Sequence, residues 1–301
     1  TALTEALLQD GHNVCVVDTQ WFGNFLPDHP NLKVIKEDVR NVDAITLDGV
    51  DSIIHLANIA NDPSVELDPT LSWEVNVLAT QQLADRAKRA GVKHFVFASS
   101  GSVYGVKEEA QVTEDLPLVP ISVYNKTKMV TERVLLSYAD DMQVHCIRPA
   151  TVCGYSKRMR LDVSVNLLSM QALRNKSITV FGGQQTRPNI HIQDMIRVYQ
   201  HFLLKPGLES GCYNAGFENI SILDLAKKVT EYIPAEIDIT ESNDPRSYRQ
   251  NSDRLIDTGF TPGYGVENGI RDVIKAHNED KLRDEARYYN IRTMQKLENL
   301  N

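Results

Sequence analysis

Tyr124 and Lys128, four positions apart in YNKTK, are the two residues of this sequence best suited to moving a proton. In a helix such a pair lies on one face. A phenol ordinarily loses its proton near pH ~10, too high for a base at neutral pH, but a neighbouring ammonium favours the phenolate. Bringing that value to about 7 takes about 4 kcal/mol, at about 1.36 kcal/mol per unit. A tyrosine activated in this way can take the proton of an alcohol while hydride leaves the same carbon. Ser100, at the end of FVFASS, can hydrogen-bond that alcohol and the carbonyl oxygen that develops. Tyr-x-x-x-Lys alone also describes a surface tyrosine and a solvated lysine. Here it gains weight because FVFASS, GSVYG and YNKTK follow in that order.

These residues need a scaffold, and the hydrophobic pattern supplies one. Residues 1–9 read as an amphipathic helix closed by Gly11, and NVCVVD as a buried strand ending in Asp18. Strands are predicted over 31–38, 51–57, 93–100 and 142–150, and helices over 73–90 and 122–138. Strands alternating with helices predict an α/β fold, a doubly wound parallel Rossmann-type sheet. Ligands bind such sheets at the carboxyl ends of the strands. Asp18, Asp38, Ala57, Ser100 and Pro149 all fall there. A helix, a Gly turn and a strand ending in an acid form the second half of a dinucleotide-binding βαβ unit. The first strand and its Gly-rich loop are absent from the given chain. The expectation is that the natural protein continues upstream, the alternative being an unrelated fold that begins here.

Beyond residue 155 the pattern loosens. Helices are expected over 161–175 and 221–233, strands at 178–183 and 211–217, and a strand end running into a helix over 190–204. The predicted organisation is a cofactor-binding domain over 1–155, with 187–217 returning to it. A smaller α/β substrate lobe takes 156–186 and 218–277, and 278–301 forms a charged helical extension.

The bulk properties narrow the function classes. The 301 residues are enough for two domains. There is no apolar run of membrane-spanning length and no signal peptide at the start of the sequence. The net charge of −8 and the lack of a basic stripe argue against nucleic acid. Cys15, Cys146, Cys153 and Cys212 form no CxxC, and no histidine pair has metal-ligand spacing. Reduced, buried thiols in a cytoplasmic protein without a metal are the expectation.

HLANIAND (55–62), WEVNVLAT (73–80), FVFASSGSVYG (95–105), YNKTK (124–128) and IRPATVCG (147–154) together resemble the extended short-chain dehydrogenase/reductases. More narrowly they resemble the NAD-dependent epimerase/dehydratase family, which includes UDP-galactose 4-epimerase. RPNIHIQD (187–194) and DPRSYR (244–249) extend the likeness into the second lobe. The resemblance implies a catalytic triad of Ser100, Tyr124 and Lys128, and NAD as cofactor. It places Asp18 on the adenosine ribose, Asp38 and Val39 near adenine, and Leu56 and Ala57 near the phosphates. Asn76 would organise the site, and Tyr124, Lys128 and Pro149 would border the nicotinamide end. A carboxylate at Asp18 accepts both ribose hydroxyls and repels a 2′-phosphate, which favours NAD over NADP. For a nucleotide-diphosphate sugar, the implied contacts are Ser100, Thr151, Asn166, Arg187 and Arg246, with Tyr104 closing the sugar pocket. Arginine suits a diphosphate. Arg158 and Arg160 could contact the nucleotide or a partner subunit, or form a solvated face. A homodimer pairing helices 73–90 and 122–138 is implied as well. Met129, Val130 and Leu136 would lie on its face or against the sheet.

The sequence also departs from some relatives. The family's 4,6-dehydratases carry Asp-Glu after the catalytic hydroxyl residue, and its decarboxylases use a Glu at the second position. Gly101 and Ser102 stand there instead. GDP-fucose synthases place a Cys where Gly101 is. Chemistry at a single carbon remains, most simply C4 epimerisation through a transient ketone. The alternatives are a 4-dehydrogenase or ketoreductase with net redox, as on a GDP-heptose, and a non-catalytic NAD or sugar-nucleotide binding protein.

Overall fold

A computed structural model describes residues 1–205, 207–242 and 247–298. The chain opens with helix α1 (Ala2–Gln9), then parallel strands β1 (Val14–Asp18) and β2 (Leu32–Lys36). Strand β3 (Ser52–His55) leads into helices α2 (Asp62–Leu67) and α3 (Pro69–Trp73), a π-turn over Glu74–Leu78, and helix α4 (Ala79–Ala90). Strand β4 (His94–Ala98), helix α5 (Val123–Leu136) and strands β5 (Gln143–Pro149) and β6 (Thr151–Cys153) follow. Next come α6 (Ser164–Asn175), β7 (Ser177–Phe181), β8 (Thr186–His191), α7 (Ile192–Leu204) and β9 (Gly211–Ala215). The chain continues through β10 (Glu218–Ser221), α8 (Ile222–Tyr232), β11 (Glu236–Thr240), α9 (Asp253–Asp257), α10 (Val266–Asn278) and α11 (Asn290–Glu298).

The parallel sheet exists in two pieces. β3, β4, β5 and β9 pair in that order, all parallel, while β1 and β2 pair with each other. Val39, Ile45 and Val65 join Phe95, Phe97 and Val144 in one core, and Val17 of β1 packs against it. His94–Phe97 and Val144–Arg148 are buried without interruption, because helices cover both faces of the central strands. The fold is a Rossmann-like α/β fold.

The second half builds two smaller sheets. β8 pairs parallel with β6 and antiparallel with β10, and β7 pairs parallel with β11. The strand end predicted at the start of 190–204 is therefore longer and belongs to this part, while α7 packs against β4 and β9 joins the main sheet. Cys146 and Cys212 face each other across β5 and β9, buried with Cys153 as free thiols; Cys15 is also free, but lies exposed on β1.

Several local signals shape the loops around the sheet's carboxyl edge. Asn61 caps α2, its Oδ1 accepting from the Ser64 amide at 3.0 Å, and Asp68 caps α3 through Leu71 at 2.9 Å, each followed closely by a proline. The tail is not one helix from Asn278. Asp280 at φ 55° lies just past the end of α10. Leu282 and Tyr288 then turn into a buried cluster with Met159, Leu161 and Val273, and helix resumes only at Asn290. Burying these apolar side chains outweighs the continuous helix that the charge pattern suggests.

Candidate active site

The ends of four parallel strands collect the residues with chemical potential. Asp18 ends β1, Leu56 and Ala57 follow β3, Ser99 and Ser100 follow β4, and Pro149 ends β5. Ser100 caps a short 3-10 turn, Gly101–Tyr104, where its Oγ accepts from the Ser102 amide at 3.2 Å. Tyr124 and Lys128 lie in the first turns of α5, which Ser122 caps by accepting from the Asn125 amide at 3.2 Å. Ser100 lies close enough to Tyr124 for its hydroxyl to act on the phenol.

The electrostatics differ from the simple Tyr–Lys expectation. Burial raises the Tyr124 phenol above its ordinary value; the Ser100 hydrogen bond and the Arg160 charge lower it, and Asp62 raises it. Lys128 Nζ donates to the Ala98 carbonyl at 2.5 Å and sits 4.6 Å from the Phe97 ring centroid, against 5.9 Å for the Tyr124 ring. Burial lowers Lys128 to about 7, with Glu132 and Cys146 pulling upward. Arg160, whose Nε donates to Asp162 at 2.8 Å, is a positive charge that lowers the phenol. The sequence left Arg160 open between ligand, partner and solvent.

A buried ionic network supports the strand end. Arg148 donates to both oxygens of Glu132, at 2.9 and 2.8 Å, and Ser99 donates to the same carboxylate. The expectation that Tyr104 closes a sugar pocket does not hold. Tyr104 is fully buried, and its hydroxyl donates to Asn214 Oδ1 at 2.8 Å and accepts from Arg148 Nη1 at 2.7 Å. It belongs to the packing beneath the serine loop, where a ring this large finds apolar cover in Val103 and Val112.

The cofactor-side residues divide by what their side chains already do. Asp18 accepts from the Gln20 amide at 2.6 Å. The Asp38 carboxylate faces Arg40, which also reaches Glu74 at 2.9 Å; burial works to raise Asp38, but the Arg40 hydrogen bonds and charge hold it below the usual range. Val39 is part of the core. Asn76 sits in the π-turn and ties the loop after β3 to α5: its Oδ1 accepts from the Ile59 amide at 2.8 Å, and its Nδ2 donates to Ile59 O and Thr127 Oγ1. Leu56 is 48% exposed, and Asn58 Oδ1 beside it is buried without a hydrogen-bond partner. An acid, an apolar side chain and an unsatisfied amide oxygen along one sheet edge fit a dinucleotide.

On the substrate side, Thr151 and Asn189 face each other in the β6–β8 pairing, and Arg187 is half-buried next to Thr186. The Asn166 amide donates to Arg160 O at 2.9 Å and Gly154 O at 3.4 Å and accepts from Gly154 N, so it pins the loop that carries Arg158 and Arg160. Arg158 stacks over Phe22 and donates to Asn290. Arg246 lies outside the described residues. Met129 and Leu136 pack inward against the Tyr104 cluster and the main core. Among the described residues there is no metal-ligand cluster and no helix long and apolar enough to cross a membrane.

A family model for the NAD dependent epimerase/dehydratase family matches residues 1–216. The chain belongs to that family. Its fold and NAD dependence agree with the sheet edge described above. A Bacillus subtilis protein described as an uncharacterized UDP-glucose epimerase, YtcB, is 32% identical over 253 residues, covering 76% of this chain and 77% of that protein. UDP-glucuronic acid decarboxylase 1 of Danio rerio is 27% identical, covering 91% of this chain and 68% of that protein. A solved structure of UDP-glucuronic acid 4-epimerase from Bacillus cereus, with UDP-glucuronic acid and NAD, superposes with a TM-score of 0.81 at 26% identity, covering 92% of this chain and 95% of that one. The family thus brings NAD-dependent modification of nucleotide sugars, by more than one reaction.

Proposed function

We propose that this chain is a nucleotide-diphosphate-sugar 4-epimerase. The observation that carries the reading is the convergence of Ser100 and Tyr124 at the sheet's carboxyl edge, with Lys128 one turn along α5. In this reading Tyr124 removes the proton of the sugar 4-hydroxyl and later returns it. Ser100 orients that hydroxyl and donates to the carbonyl oxygen that replaces it. NAD, when bound, supplies the hydride acceptor, held by Asp18, Leu56, Ala57 and Lys128. Thr151, Arg187 and Arg246 hold the nucleotide diphosphate, residues 1–155 with 187–217 carrying the cofactor and 156–186 with 218–277 the substrate. The setting proposed is cytoplasmic, as a homodimer, with the half-exposed Trp73 and Leu78 on the α3–α4 helix as the apolar contact.

Epimerisation is favoured over dehydration and decarboxylation by what surrounds position 101. A Cβ on Gly101 would lie 3.0 Å from Gln250 Oε1 and 3.3 Å from both Pro149 O and Tyr248 Oη. An acidic side chain there would have to displace these groups, and Ser102 is already engaged with Ser100 and Asn125. The test is a panel of UDP, GDP, dTDP and CDP sugars incubated with the protein and NAD, read by NMR. The expected result is a C4 stereochemical swap with no net change in NAD. A keto sugar accumulating with reduced cofactor would instead make it a 4-dehydrogenase, and no conversion of any sugar would overturn the reading.

A further inference from the structure

The loops that leave the carboxyl ends of β1 and β3 are fastened to one another across the cofactor edge. Phe22 and Phe25 stand in the loop after β1, just beyond Asp18. Arg158, from the segment between β6 and α6, stacks 4.0 Å from the Phe22 ring centroid, and Arg287, from the segment before α11, lies 5.6 Å from that of Phe25. Arg158 Nη2 also donates to Asn290 Oδ1 at 2.7 Å, at the start of α11. The Asn290 amide donates to Asp162 Oδ2 at 3.0 Å, and Asn61, in the loop after β3, donates to the same oxygen at 3.4 Å. Leu161 N donates to Tyr288 O at 2.8 Å, α11 packs on α2, and Met294 reaches the main core.

The joint between these segments is built like a site and not like a surface contact. Asn290 is buried and Arg158 half-buried. Burial and the Arg160 charge lower Arg158 to about 10, so it keeps its charge at neutral pH. A cation partly out of water gains more from a ring face and from a charge-assisted hydrogen bond than an exposed one does. The place it holds together also matters. Among the described residues β1 pairs with β2 and β3 with β4, and nothing pairs β1 with β3. A dinucleotide lies along the carboxyl ends of strands in such a sheet. Here Asp18 marks one end of that line and Leu56 and Ala57 the other. The Phe22–Arg158–Asn290–Asp162–Asn61 series runs from the loop at the first end to the loop at the second.

We propose that Arg158 and Asn290 are positioning residues that close a clasp over the dinucleotide site, with Phe22 as its catch, and that this clasp sets how fast NAD enters and leaves. An enzyme that returns the hydride to the same sugar gains from such retention, because a reduced cofactor lost between the two transfers strands the ketone. The proposal rests on the placement of the cofactor along Asp18, Leu56 and Ala57. It does not depend on which sugar reaction follows.

The experiment follows NADH binding and release by stopped-flow fluorescence, without any sugar present. R158M keeps an apolar stem but loses the stacking and the bond to Asn290. N290A loses that bond from the other side and keeps the backbone bond to Asp162. A clasp across the cleft slows entry and exit alike, so each variant should raise both the association and the dissociation rate, by about tenfold. The double variant should go no further than the larger single effect, because both changes open one contact. The proposal is overturned if release stays at the wild-type rate whatever happens to Tm. It is equally overturned if release quickens while association does not, since that is the signature of a lost direct contact. Should R158M or N290A not fold, F22L, which removes only the ring face, decides by the same criterion. A D18A protein that binds NADH as tightly as wild type would sink the cofactor placement instead, whatever R158M does to the rates.

Discussion

Replacing Glu132 by glutamine removes one negative charge from the most deeply buried ion pair in the site. Its carboxylate accepts from Arg148 Nε at 2.9 Å, from Arg148 Nη2 at 2.8 Å and from Ser99 Oγ, and the two charged side chains are 1% and 4% exposed. With water excluded, the guanidinium left behind has no compensating charge, and an amide turns one acceptor into a donor facing other donors. Breaking such a pair from one side costs about 3–5 kcal/mol. For a large domain about 2–4 °C of Tm accompanies each kcal/mol, so a Tm fall of roughly 6–20 °C is expected. A second consequence falls on Lys128, which burial has lowered to about 7 against the pull of Glu132. An amine lowered in the folded state is charged only below its folded value. Without Glu132 that value drops, Lys128 is largely neutral at pH 7, and its charge returns only in more acidic buffer. Scanning calorimetry measures the first effect. E132M together with R148M, which removes both charges, should recover most of the loss. An E132Q protein within about 1 kcal/mol of wild type would refute the reasoning, since it would mean that water or another group already compensates Arg148.

Acid should destabilise the fold through three buried histidines. Burial pushes His55 down to about 3 and His94 and His145 to about 4, so they stay neutral in the native state while the unfolded chain takes up protons from about pH 6.5 downward. Their contribution is complete above the unfolded value and is lost as pH falls toward the folded ones, by about 2 kcal/mol per histidine at pH ~5. Unfolding free energies that stay flat between pH ~7 and ~5 would contradict this. At Gly105, with φ +71°, an added Cβ would fall 2.0 Å from Val119 O, so Gly105→Ala should cost more than about 2 kcal/mol in thermal unfolding. Gly91→Ala, at φ +75° with nothing within 4 Å, should cost only about 1 kcal/mol, and equal losses at the two sites would be the contrary result.

Much of the fold was legible because its signals are local. FVFASS and QVHCIRP read as buried parallel strands because both faces are covered, so nothing polar interrupts them until the functional edge. YNKTK read as a helix start with two chemical side chains on one face, and the structure builds that helix at Val123–Leu136. The electrostatics were less legible. Spacing puts Tyr124 and Lys128 on one face, but it does not say that Lys128 turns inward to Ala98, or that Arg160 from a distant loop lowers the phenol. Tyr104 was misassigned because an aromatic side chain near a catalytic serine suits a pocket wall and a core equally well, and only the position of Arg148 and Asn214 decides between them. Helices α2 and α3 did carry a signal, the Asn61–Asp62–Pro63 and Asp68–Pro69 caps, in a segment too short for hydrophobic periodicity to register. Likewise the Ser102–Asn125 hydrogen bond ties the 3-10 turn to α5, a contact that no sequence spacing encodes.

The central claim is that the Tyr124 hydroxyl exchanges the proton of the reacting alcohol. The most direct measurement is single-turnover conversion of the accepted nucleotide sugar by Y124F, with cofactor and substrate binding measured on the same protein. The expected result is binding close to wild type with the chemical step slowed by about 10²–10⁴-fold. A Y124F protein that turns its substrate over at the wild-type rate would contradict the account.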